Sequence, residues 1–217
     1  MEACLSDTAP EDEIRVVVAS LCYGIESYRL FAHDWEYVAK DLTKNFPEIV
    51  LDRVLTDDDS TELLTWYLFH DQTFGGCNPL NLVDKDRLLA WCNNDQEKIQ
   101  KVASILSPYT SVDRDSGPLG EAKEVILSDQ IKAFLHEAND KVQIIETIFS
   151  NTQPRGWSGS LSKILKIRAK ALQELLMHPD TEIREFVQQK LLLLESVIEQ
   201  EREREAAENM RNEQRFE

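Results

Sequence analysis

Glycine and proline are scarce in this sequence, with seven of each among 217 residues. Both residues form the tight turns that β-rich folds need in large numbers. Almost every long segment instead repeats its apolar residues at steps of three and four positions, and the alternation typical of half-buried strands is missing. The sequence therefore predicts an all-α protein and leaves no segment for a β-strand.

Long apolar runs are missing too. A membrane-spanning helix needs about 20 consecutive apolar residues, whereas the run from Leu191 to Leu194 is followed at once by Glu195. Residues 1–13 hold five acids and no Lys or Arg, which is the reverse of the basic start of a secretory signal. We expect a cytoplasmic protein that does not engage a membrane.

Motifs of metal and catalytic sites are also missing. The four cysteines never form C-x-x-C, and none of the four histidines stands four residues from another. These spacings disfavour a zinc site and a disulfide framework, and they favour reduced, mostly buried thiols. No glycine-rich phosphate loop occurs. We predict no enzyme activity, no metal and no cofactor; the alternative is an enzyme with an unrecognised site, in which His70 and Cys77 would serve as base and nucleophile.

The segment from Gly156 to Ser160 matches the G-x-S-x-G pattern of a nucleophile elbow in part, but its last residue is serine. It also follows a predicted helix, whereas that motif requires a preceding strand. We therefore interpret the segment as a tight loop in which Ser158 or Ser160 caps the following helix.

Basic residues are outnumbered, with 24 Lys and Arg against 40 Asp and Glu, and the net charge is −16. A charge of this sign repels nucleic acid and attracts basic protein surfaces at long range. The alternative is that the charge serves solubility alone. Two clusters are candidate partner-binding residues, one acidic and one basic: Asp57, Asp58, Asp59 and Glu62; Arg155, Lys163, Lys166 and Lys170.

Each cluster also has a plainer interpretation. The acids precede a predicted helix, where the helix dipole and capping favour carboxylates. The lysines at 163, 166 and 170 share one helix face, so they suit an acidic surface or a phosphate. The interpretation we favour is that they pair with the chain's own acidic helices.

The apolar pattern predicts helices throughout the chain. Upstream of residue 84, four segments have helical periodicity: Ile14 to Phe31, Trp35 to Leu42, Ile49 to Leu55 and Leu63 to Phe69. Downstream, three pairs of helices follow over residues 88–106, 131–149 and 164–194. Each pair predicts a helical hairpin.

Turn aspartates occur at similar intervals along these hairpins. Asp95, Asp140 and Asp180 are separated by 45 and 40 residues, and each stands between a first and a second helix. Asn94 and Glu97 also have the spacing of a capping box. Two-helix repeats of about 40 to 47 residues are typical of the HEAT and armadillo class.

Residues 84–200 resemble this class of bacterial α-helical repeat proteins. The similarity is clearest from Leu175 to Arg184, where a helix, a tight Asp turn and a charged helix start follow one another. The resemblance implies a right-handed α-solenoid of stacked antiparallel helical hairpins with a long charged C-terminal helix.

We predict three segments within one continuous solenoid. Residues 1–108 form N-terminal helical hairpins, 109–127 an exposed loop rich in turn residues, and 128–217 C-terminal repeats with a charged helical extension. A helix from Thr181 to Met210 is about 45 Å long at 1.5 Å per residue. We expect it to project beyond the body or to pack on another chain, which makes an oligomer possible.

A stacked helical face is typically used to hold a partner. The sequence therefore predicts a non-enzymatic protein-binding protein. The most specific hypothesis is an acidic immunity protein that binds and neutralises a basic bacterial toxin. The alternative is a scaffold or the C-terminal interaction domain of a larger bacterial helical-repeat protein.

Overall fold

The computed structural model describes residues 9–56, 62–69, 78–112, 124–154 and 156–214. These residues are mostly helical, as predicted. The α-helices are α1 (Glu11–Glu26), α2 (Ala32–Asn45), α3 (Pro47–Leu51), α4 (Glu62–Phe69), α5 (Lys85–Cys92), α6 (Gln96–Ile105), α7 (Asp129–Glu137), α8 (Lys141–Ser150), α9 (Leu161–Leu172) and α10 (Thr181–Glu213). A π-helical turn (Asp52–Thr56) follows α3, and two 3-10 turns lie at Pro79–Leu82 and Gln173–Met177. None of the described helices is both long enough and apolar enough to cross a membrane.

The chain divides into two compact units. The first comprises Met1–Ser107 and Asp129–Ala138, and the second comprises Pro108–Ser128 and Asn139–Glu217. The helices α7 and α8, which the sequence predicted as one hairpin, therefore belong to different units. A stack of hairpins is not confirmed, and the HEAT-like repeat stays a prediction.

The predicted turn aspartates start helices. Asp95, Asp140 and Asp180 are the N-caps of α6, α8 and α10, and each carboxylate accepts a backbone N–H at 2.9, 3.0 and 2.9 Å respectively. The predicted cap at Asn94 is wrong, because Asn94 has a left-handed backbone with φ 61° and its neighbour Asp95 makes the capping bonds. The positions of these three turns were therefore predicted, whereas the residue that caps α6 was not.

Two short strands contradict the prediction of an exposed loop over residues 109–127 and of a chain without strands. β1 (Tyr109–Ser111) pairs antiparallel with β2 (Val125–Leu127), with Tyr109 opposite Leu127. Both of these residues are buried, and β2 packs on α9. The ends of the segment are therefore part of the core of the second unit. The middle of the predicted loop, residues 113–123, lies outside the described residues.

α1 is anchored in the first unit by one apolar side. Its buried side chains include Ile14, Val18, Cys22 and Ile25, and the helix packs against α2, α3 and α4. The side chains of Cys22 and Cys92 are buried, as expected. Burial raises the pKa of Cys92 to about 11. The other two cysteines lie outside the described residues.

Candidate protein-binding surface

The predicted acidic cluster is described only at one residue. Glu62 is exposed at the start of α4. Asp57, Asp58 and Asp59 lie outside the described residues, so their role as partner contacts or as helix caps stays a prediction.

The predicted basic cluster lies on α9, apart from Arg155, which is outside the described residues. Lys163, Lys166 and Lys170 are all exposed, as their spacing predicted. Lys170 Nζ lies 3.1 Å from Glu124 Oε1. Lys170 thus pairs with an acid of this chain, whereas Lys163 and Lys166 have no ion pair with any residue that the structure describes.

A different surface, on α1, stands out for its exposed apolar side chains. Val16 and Tyr23 lie two turns apart on this helix with 65% and 57% of their area exposed. Tyr28 and Phe31 follow in the turn after it, 72% and 70% exposed. Arg29 lies 5.4 Å from the centroid of the Tyr23 ring and links the turn to the helix. Clusters of exposed apolar and aromatic side chains are characteristic of protein interfaces.

The turn after α1 has the hydrogen bonds of a Schellman motif. The N–H of Arg29 donates to the carbonyl of Gly24 at 2.9 Å, and the N–H of Tyr28 donates to the carbonyl of Ile25 at 3.0 Å. In a Schellman motif the residue after the helix C-cap adopts a left-handed backbone conformation, and glycine normally occupies this position. Here it is Tyr28, with φ 55°. A left-handed backbone costs a non-glycine residue roughly 1–2 kcal/mol.

Close packing fixes this turn on the helix. Leu30 covers Gly24 so closely that a Cβ added to Gly24 would lie 2.5 Å from Leu30 Cδ1. Ser27 Oγ donates to the carbonyl of Tyr23 at 2.7 Å. The side chains of Tyr28 and Phe31 are therefore displayed by a well-bonded turn and not by a loose loop.

A groove of about 540 Å³ lies beside the middle of α1. α1, α3 and the π-helical turn form it, and its lining is Arg15, Val18, Ala19, Ile49, Asp52, Arg53 and Thr56. π-helical turns are rare and frequently lie at functional sites. Side-chain hydrogen bonds help to hold this one: Thr56 Oγ1 donates to the carbonyl of Asp52 at 2.8 Å, and Trp91 Nε1 donates to Asp52 Oδ1 at 2.8 Å.

The N-terminal end of α1 is acidic. Arg15 lies 2.7 Å from Glu11 and 3.9 Å from Asp52. The hydrogen bond to Glu11, together with the charges of Glu11, Asp52 and Asp12, raises the pKa of Arg15. The charges of three carboxylates thus act on one guanidinium, and Glu13 adds a further exposed acid in the same turn. This end of the surface carries an excess of negative charge.

The chain has no significant match among known protein families, curated proteins or solved structures. Its function must therefore be inferred from its own residues. Within the described ranges, no three His, Cys, Asp or Glu side chains converge as metal ligands. His70 and Cys77, the base and nucleophile of the enzyme alternative, lie outside those ranges.

Sequence reasoning missed the aromatic end of this surface. The apolar periodicity predicted one helix from Ile14 to Phe31, so Tyr28 and Phe31 were counted as helical residues. The helix ends at Glu26. The available signal was Gly24, because a glycine near the end of a helical pattern often marks a close contact or a helix end.

Proposed function

We propose that this chain is a non-enzymatic binding protein that holds a positively charged partner protein on the α1 surface. The α1 surface consists of an acidic end (Glu11, Asp12, Glu13) and an aromatic end (Val16, Tyr23, Tyr28, Phe31). The observation that carries the proposal is Tyr28, an exposed aromatic residue in a backbone conformation that favours glycine. Strain of this kind persists where it serves a function.

The aromatic end supplies anchors of binding energy. Tyrosine is enriched among the few residues that dominate binding energy at protein interfaces. Each aromatic side chain buries roughly 150–250 Å² when it is covered. Because the Schellman turn already fixes the backbone that carries Tyr28, a partner pays less ordering entropy on binding. Rigid, exposed aromatics favour a protein partner over a small ligand.

The acidic end selects the charge of the partner. Its carboxylates outnumber the one arginine among them, and the whole chain carries −16. Complementary charge accelerates the encounter of two proteins and disfavours partners of the same sign. A basic partner therefore fits this surface, and nucleic acid does not.

Among basic partners, a cationic toxin remains our most specific proposal. Neutralisation requires fast capture, which long-range attraction by an acidic protein favours. The alternative is an interaction domain of a larger helical-repeat protein. Co-expression separates them: an immunity protein restores growth of cells that produce the captured partner, and an interaction domain does not.

The first test is affinity capture from the native cell lysate at low and high salt. The baits are the full chain, a Tyr28→Ala/Phe31→Ala variant, and Met177→Ala as the control, since Met177 is 85% exposed in the second unit. We expect a basic protein that the full chain and the control capture at low salt and the double variant loses. Capture of the same proteins by all three baits would contradict the proposal.

A further inference from the structure

α10 is held to the second unit in two different ways along its 33 residues. In its first half the apolar side chains of Ile183, Val187 and Leu191 are buried. The helix as a whole contacts α9, α8 and the 3-10 turn at Gln173–Met177. Beyond Leu191, none of its described side chains is buried. The same face of the helix continues with four side chains that are only half-buried: Leu194, Ile198, Glu201 and Glu205. The apolar part of this face ends at Ile198.

A carboxylate makes the last contact on this face. Glu205 Oε1 accepts the N–H of Ser162 at 3.0 Å, and Glu205 Oε2 accepts the hydroxyls of Ser160 at 2.8 Å and Ser162 at 2.7 Å. Ser160 is itself the N-cap of α9, because its hydroxyl oxygen accepts the N–H of Lys163 at 3.2 Å. Glu205 therefore lies where the dipole of α9 and its unpaired N–H groups favour an anion.

The other polar contacts in this part of α10 are internal to the helix. Arg202 pairs with Glu199, and Arg204 pairs with Glu201, each three positions apart. Exposed pairs of this kind contribute little to stability, and they do not tie the helix to α9. Within the part of the chain that the structure describes, the side-chain hydrogen bonds from residues 199–213 to α9 all come from Glu205.

We propose that Glu205 is a latch that holds residues 199–213, the tail, on α9, and that negative charge at Ser160 opens the latch without unfolding the rest of the second unit. The tail then detaches as a local unit of low stability, because it has little buried apolar surface to hold it. In this structure the extension lies on α9 as far as Glu205. The expectation that the helix beyond it projects from the body or packs on another chain stays a prediction.

The ionisation of Glu205 agrees with this arrangement. Burial alone would raise its pKa, but hydrogen bonds from Ser162, Ser160 and Leu161 outweigh burial and hold the pKa below its usual range. The carboxylate is therefore charged at neutral pH, which is the form that the serine donors stabilise.

Hydrogen exchange of the full chain tests the latch. The variants are Glu205→Gln, Ser160→Asp and, as the matched control, Glu208→Gln, because Glu208 is exposed one turn further along the same helix. Removing the charge of Glu205 weakens the hydrogen bonds from Ser160 and Ser162, so we expect amides 200–213 to exchange about tenfold faster in Glu205→Gln. Ser160→Asp keeps a capping side chain, repels Glu205, and should speed exchange further. Amides 183–191 should be unchanged in every variant.

The serine side of the latch provides a second measurement. Ser162→Ala removes one donor to Glu205 and leaves the Ser160 cap in place. Its effect on tail exchange should vanish in the Glu205→Gln background, since the two side chains act through one contact. Additive effects, an unchanged tail in Glu205→Gln, or faster exchange throughout the second unit would each overturn the proposal.

Discussion

α1 and α9 carry the two most distinctive surfaces among the described residues, and they differ in what they expose. α1 combines three acids in its first turn with large apolar side chains at its end. α9 exposes Lys163, Lys166 and Lys170 but no large apolar side chain. Charged side chains mainly raise the association rate and discriminate between partners, whereas aromatic anchors supply most of the binding energy. The comparison therefore favours α1 as the surface that holds a partner.

The largest expected effect is the loss of the aromatic anchors. Replacing Tyr28 and Phe31 with alanine should weaken binding of the captured partner at least about 30-fold, because hot-spot truncation costs 2 kcal/mol or more. The Lys163→Glu/Lys166→Glu variant should change affinity less than about threefold. Isothermal titration calorimetry measures both. A larger loss of affinity in the lysine variant than in the aromatic variant would instead indicate that the partner binds α9.

The next prediction concerns the strain at Tyr28. Tyr28→Gly removes the strain of a left-handed backbone from the folded protein, but it also raises the conformational entropy of the unfolded chain. The net effect should be an increase of about 0.5–1 kcal/mol in the free energy of unfolding. The substitution should also weaken partner binding, since the aromatic ring is gone. Tyr23→Gly is the control, and it should destabilise by about 1 kcal/mol because Tyr23 lies inside α1. Urea unfolding monitored by circular dichroism measures both. Equal destabilisation by both changes would show that Tyr28 is not strained.

How much the sequence predicted differs between local and long-range features. The helices, the aspartate caps and the exposed lysine face of α9 follow from spacing within a few residues. The Tyr28 turn is not readable from apolar periodicity, because it depends on Leu30 packing over Gly24. The β1–β2 pair was missed because three-residue strands have little propensity of their own, and these depend on burial against α9.

The same distinction applies to the candidate sites. A sequence pattern identified the lysines of α9, but nothing local links Glu205 to Ser162, which is 43 positions away. Exposed aromatics have the same apolar character as core residues, so the apolar pattern placed Tyr28 and Phe31 inside the helix predicted from Ile14 to Phe31. Charged clusters are therefore readily identified in a sequence, whereas exposed apolar residues are not distinguished from buried ones.

A smaller effect is expected from the acidic end of α1. Asp12→Lys/Glu13→Lys reverses two charges and leaves the pair between Glu11 and Arg15 intact. It should slow association with a basic partner by about fivefold at low salt, with little change in dissociation. The difference should shrink at 0.5 M salt, where exposed charges are screened. Stopped-flow measurements give both association rates. Equal rates for the variant and the unmodified chain at low salt would show that the acidic end of α1 does not steer the partner.

The smallest effect concerns pH and the tail on α9. The pKa of Glu205 lies below its unfolded value, so its contribution to tail docking is complete above the unfolded pKa and is lost as pH falls through the folded pKa. Carboxyl-carbon NMR of the full chain, with Glu205→Gln to assign the signal, should give a pKa below the ordinary range of glutamate. Ser162→Ala should move that pKa back towards the ordinary range, because it removes a donor to the charged form. An ordinary pKa in the unmodified chain would mean that the carboxylate does not accept the serine hydrogen bonds in solution, and Glu205 would then not hold the tail on α9.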